Sequence, residues 1–270
     1  MNRKLFWLII ILVFSNKSYL LSQNLIAHFP FNNNTSDISG NKNDGEIIGG
    51  VIATSDRFDN PCGAYKFNGT DGYIEVPNSN SLQSITQTFS ITCWFKIENV
   101  SLLKGIKWLT LICKGNQSIE TINNPQYRVQ TFQSATQSTI SINTDFTEND
   151  NNFTKHCFEF NKWNFYALVY DGRYVKTYLN NIKIWEFPYN KYISQNTDPL
   201  HIGKDIPGSL ELFCGSLDDL RIYSSPLTDN DMTKLFTDDS GLSFDDEFTL
   251  TCPANITTQT DKNKCTATVN

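Results

Sequence analysis

The chain of 270 residues has no cluster of lysine and arginine. It carries 22 basic against 28 acidic residues, for a net charge of −6. Contacts to a phosphate backbone need grouped cations, so a nucleic-acid partner is excluded. Histidine is scarce: His28, His156 and His201 are the full set. No Cys-His signature surrounds His156 beside Cys157, and His28 and His201 lie in strand-like runs that read as structural. The seven cysteines include no C-x2-C pair, which removes the usual zinc spacing. A glycine-rich phosphate loop is also missing. Beyond the N-terminus, no apolar run is long enough to cross a bilayer.

One apolar run does stand out. Leu5 to Phe14 is ten unbroken apolar residues behind Met-Asn-Arg-Lys. It is short for a membrane span and has a positive n-region, so residues 1–22 read as a secretory signal peptide cut after Ser22. The competing reading is an uncleaved anchor, because Leu20 fits poorly two residues before that cut. Export permits disulfides among Cys62, Cys93, Cys113, Cys157, Cys214, Cys252 and Cys265. Their connectivity is not legible, and the odd count leaves one thiol over or pairs it outside the chain.

From Leu25 onward the pattern is almost all strand. Phe89, Ile91, Cys93, Phe95 and Ile97 alternate along one face. Trp163 to Tyr170 is an apolar run typical of a central strand, ended by Asp171-Gly172. Tyr174–Leu179 and Ile182–Phe187 form a predicted hairpin through Asn180-Asn181, residues that tolerate positive φ. A single helix is predicted over Thr228–Phe236, capped by Thr228 or Asp229. Many short strands with almost no helix mean a sandwich or barrel. The fold class is therefore an all-β jelly-roll β-sandwich over residues 24–237. An acidic linker follows at 238–247. Residues 248–270 begin a second β segment that two strands alone cannot stabilise.

The strand Phe213–Tyr223 poses a problem. If Leu220 and Ile222 face the core, alternation puts Asp218 on their face and Asp219, Arg221 and Tyr223 on the other. A buried unpaired carboxylate is costly, so Asp218 needs a cation, several N–H donors or an open rim.

Five blocks, in order, carry a resemblance. They are Asp37-Ile-Ser-Gly-Asn41, Phe67–Val76, Phe89–Phe95, Lys162–Gly172 with Tyr178-Leu-Asn-Asn181, and Gly215–Tyr223 with Leu227. Together they resemble the laminin-G-like, concanavalin A-like lectin/glucanase superfamily. Phe165 and Asn181 depart from its usual His and Gly. The tail around Cys252 and Cys265 resembles the opening of a hyalin repeat, which implies a truncated immunoglobulin-like β segment over residues 248–270. Glucanases of this superfamily carry two glutamates close together on one strand, and here no two glutamates lie within five residues. No catalytic residue is assigned.

The resemblance implies a structural calcium ion (Ca2+) tying the early loop to the closing strand through Asp37, Asn41 and Asp218, with Asn43 and Asp44 as further oxygens. Without calcium, Asp37 makes an Asx-turn and Asp218 accepts backbone N–H groups. Sugar binding needs aromatic faces and aimed amides. The candidates are Trp185, Tyr189 and Tyr127, with Asn116 from an Asn-rich loop; Trp108 and Tyr192 are further aromatics. The implied function is a non-catalytic module binding a glycan or surface glycoprotein, in a secreted or cell-surface protein. The alternatives are a protein-adhesion or spacer module, and an accessory domain of a polysaccharide-degrading enzyme.

Overall fold

The computed structural model describes residues 24–98, 107–115, 125–134, 137–143, 158–189, 192–193, 195–205 and 211–238. The expected leader (1–22), the hyalin-like segment (248–270) and all of the linker except Asp238 lie outside them.

Strand residues alternate between faces, and the apolar positions sort the chain into two antiparallel sheets. The first sheet contains β1 (Leu25–Phe29), β3 (Val51–Thr54), β4 (Ala64–Asn68), β6 (Phe89–Lys96), β10 (Asn164–Tyr170), β11 (Tyr174–Leu179), β12 (Ile182–Pro188) and β14 (Cys214–Tyr223). Its order is β12-β11-β10-β6-β14-β4-β3, with β1 also paired to β14. The second contains β2 (Glu46–Ile48), β5 (Tyr73–Val76), β7 (Lys107–Gly115), β8 (Pro125–Ser134), β9 (Gln137–Asn143) and β13 (Leu200–Ile202), in the order β2-β5-β13-β7-β8-β9. The sandwich core lies between them. Ile91, Phe95, Tyr166, Leu168, Leu217, Leu220 and Ile222 of one sheet meet Ile74, Val76, Leu109, Val129, Leu200 and Ile202 of the other.

The apolar run of β10 has a simple cause: every residue of the strand is buried. Tyr166, Leu168 and Tyr170 enter the inter-sheet core, while Phe165, Ala167 and Val169 enter a second cluster. That cluster is closed by Leu227, Met232 and Leu235. It lies under a C-terminal helix. A short helix α1 (Asn80–Gln83), with only Leu82 buried, was too brief to leave a periodic pattern. The C-terminal helix α2 (Asp229–Phe236) stands where the sequence predicts it. Thr228 is its N-cap and forms a capping box with Asp231. The Asn180-Asn181 turn has φ of 49° and 64°.

The closing strand corrects the alternation argument. Its register against β6 shifts between Asp218 and Arg221. Asp219 takes φ of 48° there. A bulge adds a residue without adding a face change. Asp218 consequently pairs with Trp94, whose ring packs on the outer cluster, while Leu217, Leu220 and Ile222 stay in the core.

Both carboxylates are therefore buried on the outer face, in a charge cluster. Arg57 Nη1 donates to Asp218 Oδ2 at 2.5 Å, and its Nη2 lies 3.7 Å from Asp219. Arg221 Nε donates to Asp219 Oδ1 at 2.8 Å, and Nη2 to Oδ2 at 3.1 Å. His28 Nε2 sits 2.8 Å from the same Oδ1. Burial drives Asp218 up to about 7 against the pull of Arg57, and the neighbouring Asp219 charge adds to the rise. Burial also works to raise Asp219, but Arg221, His28 and Arg57 hold it well below the usual carboxylate range.

Arg57→Met strips Asp218 of its cation inside the protein and should cost about 3–5 kcal/mol in urea denaturation. Adding Asp218→Leu should recover most of that loss. If the double variant is no more stable than the single one, the ion pair is not what Arg57 contributes. Leu235→Ala, which opens the cluster beneath α2, should cost about 2–5 kcal/mol in the same assay.

Candidate functional site

Sheet pairing places a row of polar residues across the outward face of the second sheet. Glu75 of β5 pairs with His201 of β13, His201 with Cys113 of β7, and Cys113 with Arg128 of β8. The rows on either side, Ile74-Ile202-Ile112-Val129 and Val76-Leu200-Lys114-Tyr127, are nearly all apolar. The polar row therefore faces away from the core. Thr110 and Gln130, also paired, extend it.

Residues 203–205, after β13, and 211–213, before β14, carry side chains to this face. Gly203 makes the exit possible: its φ is 84°, and a Cβ there would stand 2.5 Å from the Phe67 ring. Gly203 N donates to Leu111 O and Phe213 N donates to Gly203 O, so both ends of the connection are pinned. This brings two carboxylates onto the polar face. Arg128 Nη1 donates to Asp205 Oδ2 at 2.8 Å. Gln130 Nε2 donates to Thr110 Oγ1 at 2.9 Å and to Glu211 Oε2 at 2.5 Å. Burial raises Glu211 to about 7, and Asp205 adds to the rise while Gln130 opposes it. A proton on Glu211 relieves the repulsion between the two carboxylates.

His201 is also shifted. Burial lowers it, although Glu75 lies 3.2 Å away and favours the charged form. Its Nδ1 is buried and has no hydrogen-bond partner among the described residues. Tyr73 meets the imidazole edge-on at 5.6 Å, and Lys204 Nζ stands 3.8 Å over the Tyr73 ring. Glu75 is the open member of the set, with 40% of its side chain exposed. Perturbed titrating groups, an arginine, an amide and an aromatic thus share one face, a common mark of a functional site.

The aromatic residues singled out from sequence are not gathered here. Tyr127 is fully buried and stacks on Phe89 with centroids 5.4 Å apart. Tyr189 is buried against Tyr170. Neither ring offers a face to a sugar, and both assignments are corrected: strand alternation turns Tyr127 into the core beside Val129, and the chain folds Tyr189 under its own edge. Trp185 is half-buried on edge strand β12, its ring 4.2 Å from Phe187. Asn116 lies outside the described residues. Tyr192 is 75% exposed.

The proposed calcium ligands do not form an oxygen cage. Asp37 Oδ1 accepts from His28 N and Ser39 N, and Oδ2 from Ser39 Oγ and Asn43 N, all at 2.8–2.9 Å. Four donors use the carboxylate's four acceptor positions. Asn41 turns its amide N–H groups to the carbonyls of Leu25 and Ile26. Asp218 holds Arg57. Among the described residues no cluster of three or more His, Cys, Asp or Glu side chains is arranged for a metal ion. The set Asp37, Asn41 and Asp218 therefore does not fit calcium. A guanidinium fills the role expected of the ion beside Asp218.

The polar row had one legible signal. Arg128 and Gln130 alternate with Tyr127 and Val129, which marks one polar and one apolar face. Asp205 and Glu211 had none, because they reach the sheet from a connection.

Two sheets, a bulged central closing strand and a polar outer face define a lectin-like jelly-roll sandwich. Residues 68–233 match the family model of the concanavalin A-like lectin/glucanases superfamily, and the chain belongs to that family. No curated protein sequence matches it. Among solved structures, it is similar to domain 4 of AbnA, an extracellular arabinanase from Geobacillus stearothermophilus, solved with arabinotriose. The identity is 20% and the TM-score 0.53, over 78% of this chain and 98% of that one. It is also similar to the binding domain of Paraclostridial Mosquitocidal Protein 1, at 18% identity and TM-score 0.58, over 80% of this chain. The receptor-binding domain of a botulinum neurotoxin C/D mosaic serotype gives 18% and 0.54, again over 80% of this chain. The match spans about half of each toxin domain, 52% and 51%. At these identities the likeness establishes the fold.

The raised Glu211 carboxyl has a consequence for stability. A carboxyl whose folded pKa exceeds its unfolded value stabilises the protein below the unfolded pKa, and that contribution is lost as pH rises through the folded one. The window here runs from about 4.5 to about 7. Glu211→Gln should therefore gain in melting temperature relative to the parent between pH 5 and pH 8. Roughly 2–4 °C is expected per kcal/mol for a domain of this size. A difference that stays constant with pH would show that Glu211 titrates normally.

Proposed function

We propose that this domain is a non-catalytic carbohydrate-binding module. It would take a glycan at the open rim of the polar face on the six-stranded sheet. The observation that carries the reading is the Glu75-His201-Cys113-Arg128 row with Gln130, Asp205 and Glu211 on one side of the sheet. Sugars are held by aimed carboxylates, amides and guanidinium groups around a small aromatic contact. Glu75, Arg128 and Tyr73 supply those chemistries, and Lys204 and Asp205 hold them in position. The arabinanase domain of the same fold was solved with arabinotriose, which supports a sugar as ligand.

The signal-like run Leu5–Phe14 and the extracellular enzyme among the relatives support a secreted or cell-surface location. The Cys252 and Cys265 segments support a modular protein with a hyalin-type repeat after the domain.

A glycan-array screen of the purified chain should show saturable binding to one glycan class. Glu75→Gln and Arg128→Gln should each weaken it at least about tenfold, the effect of losing roughly 1.4 kcal/mol. Silence across the array from a folded sample would favour an adhesion or spacer module instead.

A further inference from the structure

A second candidate site lies on the other sheet, at the turn between β10 and β11. A cavity of about 330 Å³ is lined there by Gln87, Thr88, Tyr170, Asp171, Arg173 and Tyr192, with Gly172 at its edge. That is the small end of the range for ligand pockets. We propose that it binds a sugar ring carrying a carboxylate, with Arg173 holding the acid and Tyr192 the ring face.

The turn is rigid. Gly172 has φ of 88°, which lets the chain reverse after Asp171. Asp171 Oδ1 accepts from Arg173 N at 2.9 Å and from Tyr174 N at 2.7 Å, and Oδ2 accepts from Lys176 Nζ at 2.8 Å. Tyr189 N donates to Arg173 O at 2.6 Å, which fixes the strand exit against the turn. Ile193 is buried and its N–H donates to Thr86 O, so the residue next to Tyr192 is anchored. Thr88 Oγ1 donates to Ser224 O at 2.9 Å. Tyr170 forms the buried floor.

Two side chains on this frame are left over. Arg173 is exposed, and its guanidinium has no hydrogen bond or ion pair with any described residue. Asp171 does not neutralise it, because that carboxylate is already matched by Lys176 and two backbone N–H groups. Among the described residues this positive charge therefore has no ion-pair partner, in a chain of net charge −6. Tyr192 is 75% exposed and stacks on nothing among the described residues. Because the turn backbone is already hydrogen-bonded, ordering on binding falls on these two side chains.

The chemistry selects the ligand class. A guanidinium grips a carboxylate with two parallel hydrogen bonds. Phosphate sites commonly add a nest of backbone N–H groups, but here the turn's N–H groups are spent on Asp171. A lone guanidinium, a tyrosine face and the Gln87 amide match a pyranose with one acid group and several hydroxyls.

The test is titration calorimetry of the full chain with glucuronic acid and with N-acetylneuraminic acid, using glucose and inorganic phosphate as controls. Saturable binding of at least one acid is expected, with glucose and phosphate at least tenfold weaker. Arg173→Ala and Tyr192→Ala should each lower the acid-sugar affinity tenfold or more. Both residues are exposed, so the variants should keep the parent melting temperature. The proposal is overturned if neither acid binds, if phosphate binds as well as the acids, or if both variants bind like the parent. Arg173→Ala also separates the two sites: it should leave unchanged any glycan-array binding that Glu75→Gln weakens on the other sheet.

Discussion

The structure depends on how two adjacent carboxylates are carried inside the central closing strand. β14 is hydrogen-bonded to β6 on one side and to both β4 and β1 on the other. It therefore joins the N-terminal strand to the middle of the large sheet. An unpaired buried carboxylate at such a place would cost several kcal/mol. The bulge at Asp219 removes that difficulty by turning Asp218 and Asp219 out of the core, where Arg57, Arg221 and His28 meet them. Arg57 also lies 5.1 Å over Trp94, which couples the ion pairs to the apolar layer beneath α2. Charge cluster, bulge and helix packing are one construction.

A second constraint acts on the opposite sheet. Its outward face is polar in the middle, and Asp205 and Glu211 reach it from either side of residues 206–210. Such a layer holds together only if its donors and acceptors meet. Arg128 with Asp205, and Gln130 with Thr110 and Glu211, achieve that. His201 Nδ1 is one of the buried atoms there left without a hydrogen-bond partner among the described residues. These polar groups, with Glu75 open beside them, are the ones on which the proposed sugar site rests.

Much of the fold was legible because alternation and turn residues act locally. Phe89 to Ile97, the Asn180-Asn181 turn and the Thr228 cap each declare a conformation within a few residues. The face of Asp218 was not legible. Alternation is counted residue by residue, and one bulge with positive φ at an aspartate reverses the count. Tyr127 was misread as a platform although its neighbour Val129 already placed it on the core side. Asp37 and Asn41 sit in a loop that matches the family pattern, yet in space that loop is tied by its own N–H groups and the carbonyls of Leu25 and Ile26.

The sequence by itself determined an all-β sandwich, most of its strands and the family, because periodicity, turn chemistry and block order are carried by near neighbours. The tertiary structure decided what the charged residues do. Arg57 and Asp218 are 161 positions apart, Arg128 and Asp205 are 77, and Gln130 and Glu211 are 81. Pairing across such distances follows from strand order and register, which no local pattern encodes. The cation that replaces the expected calcium ion, and the polar face proposed to hold a sugar, emerge only when the sheets have closed.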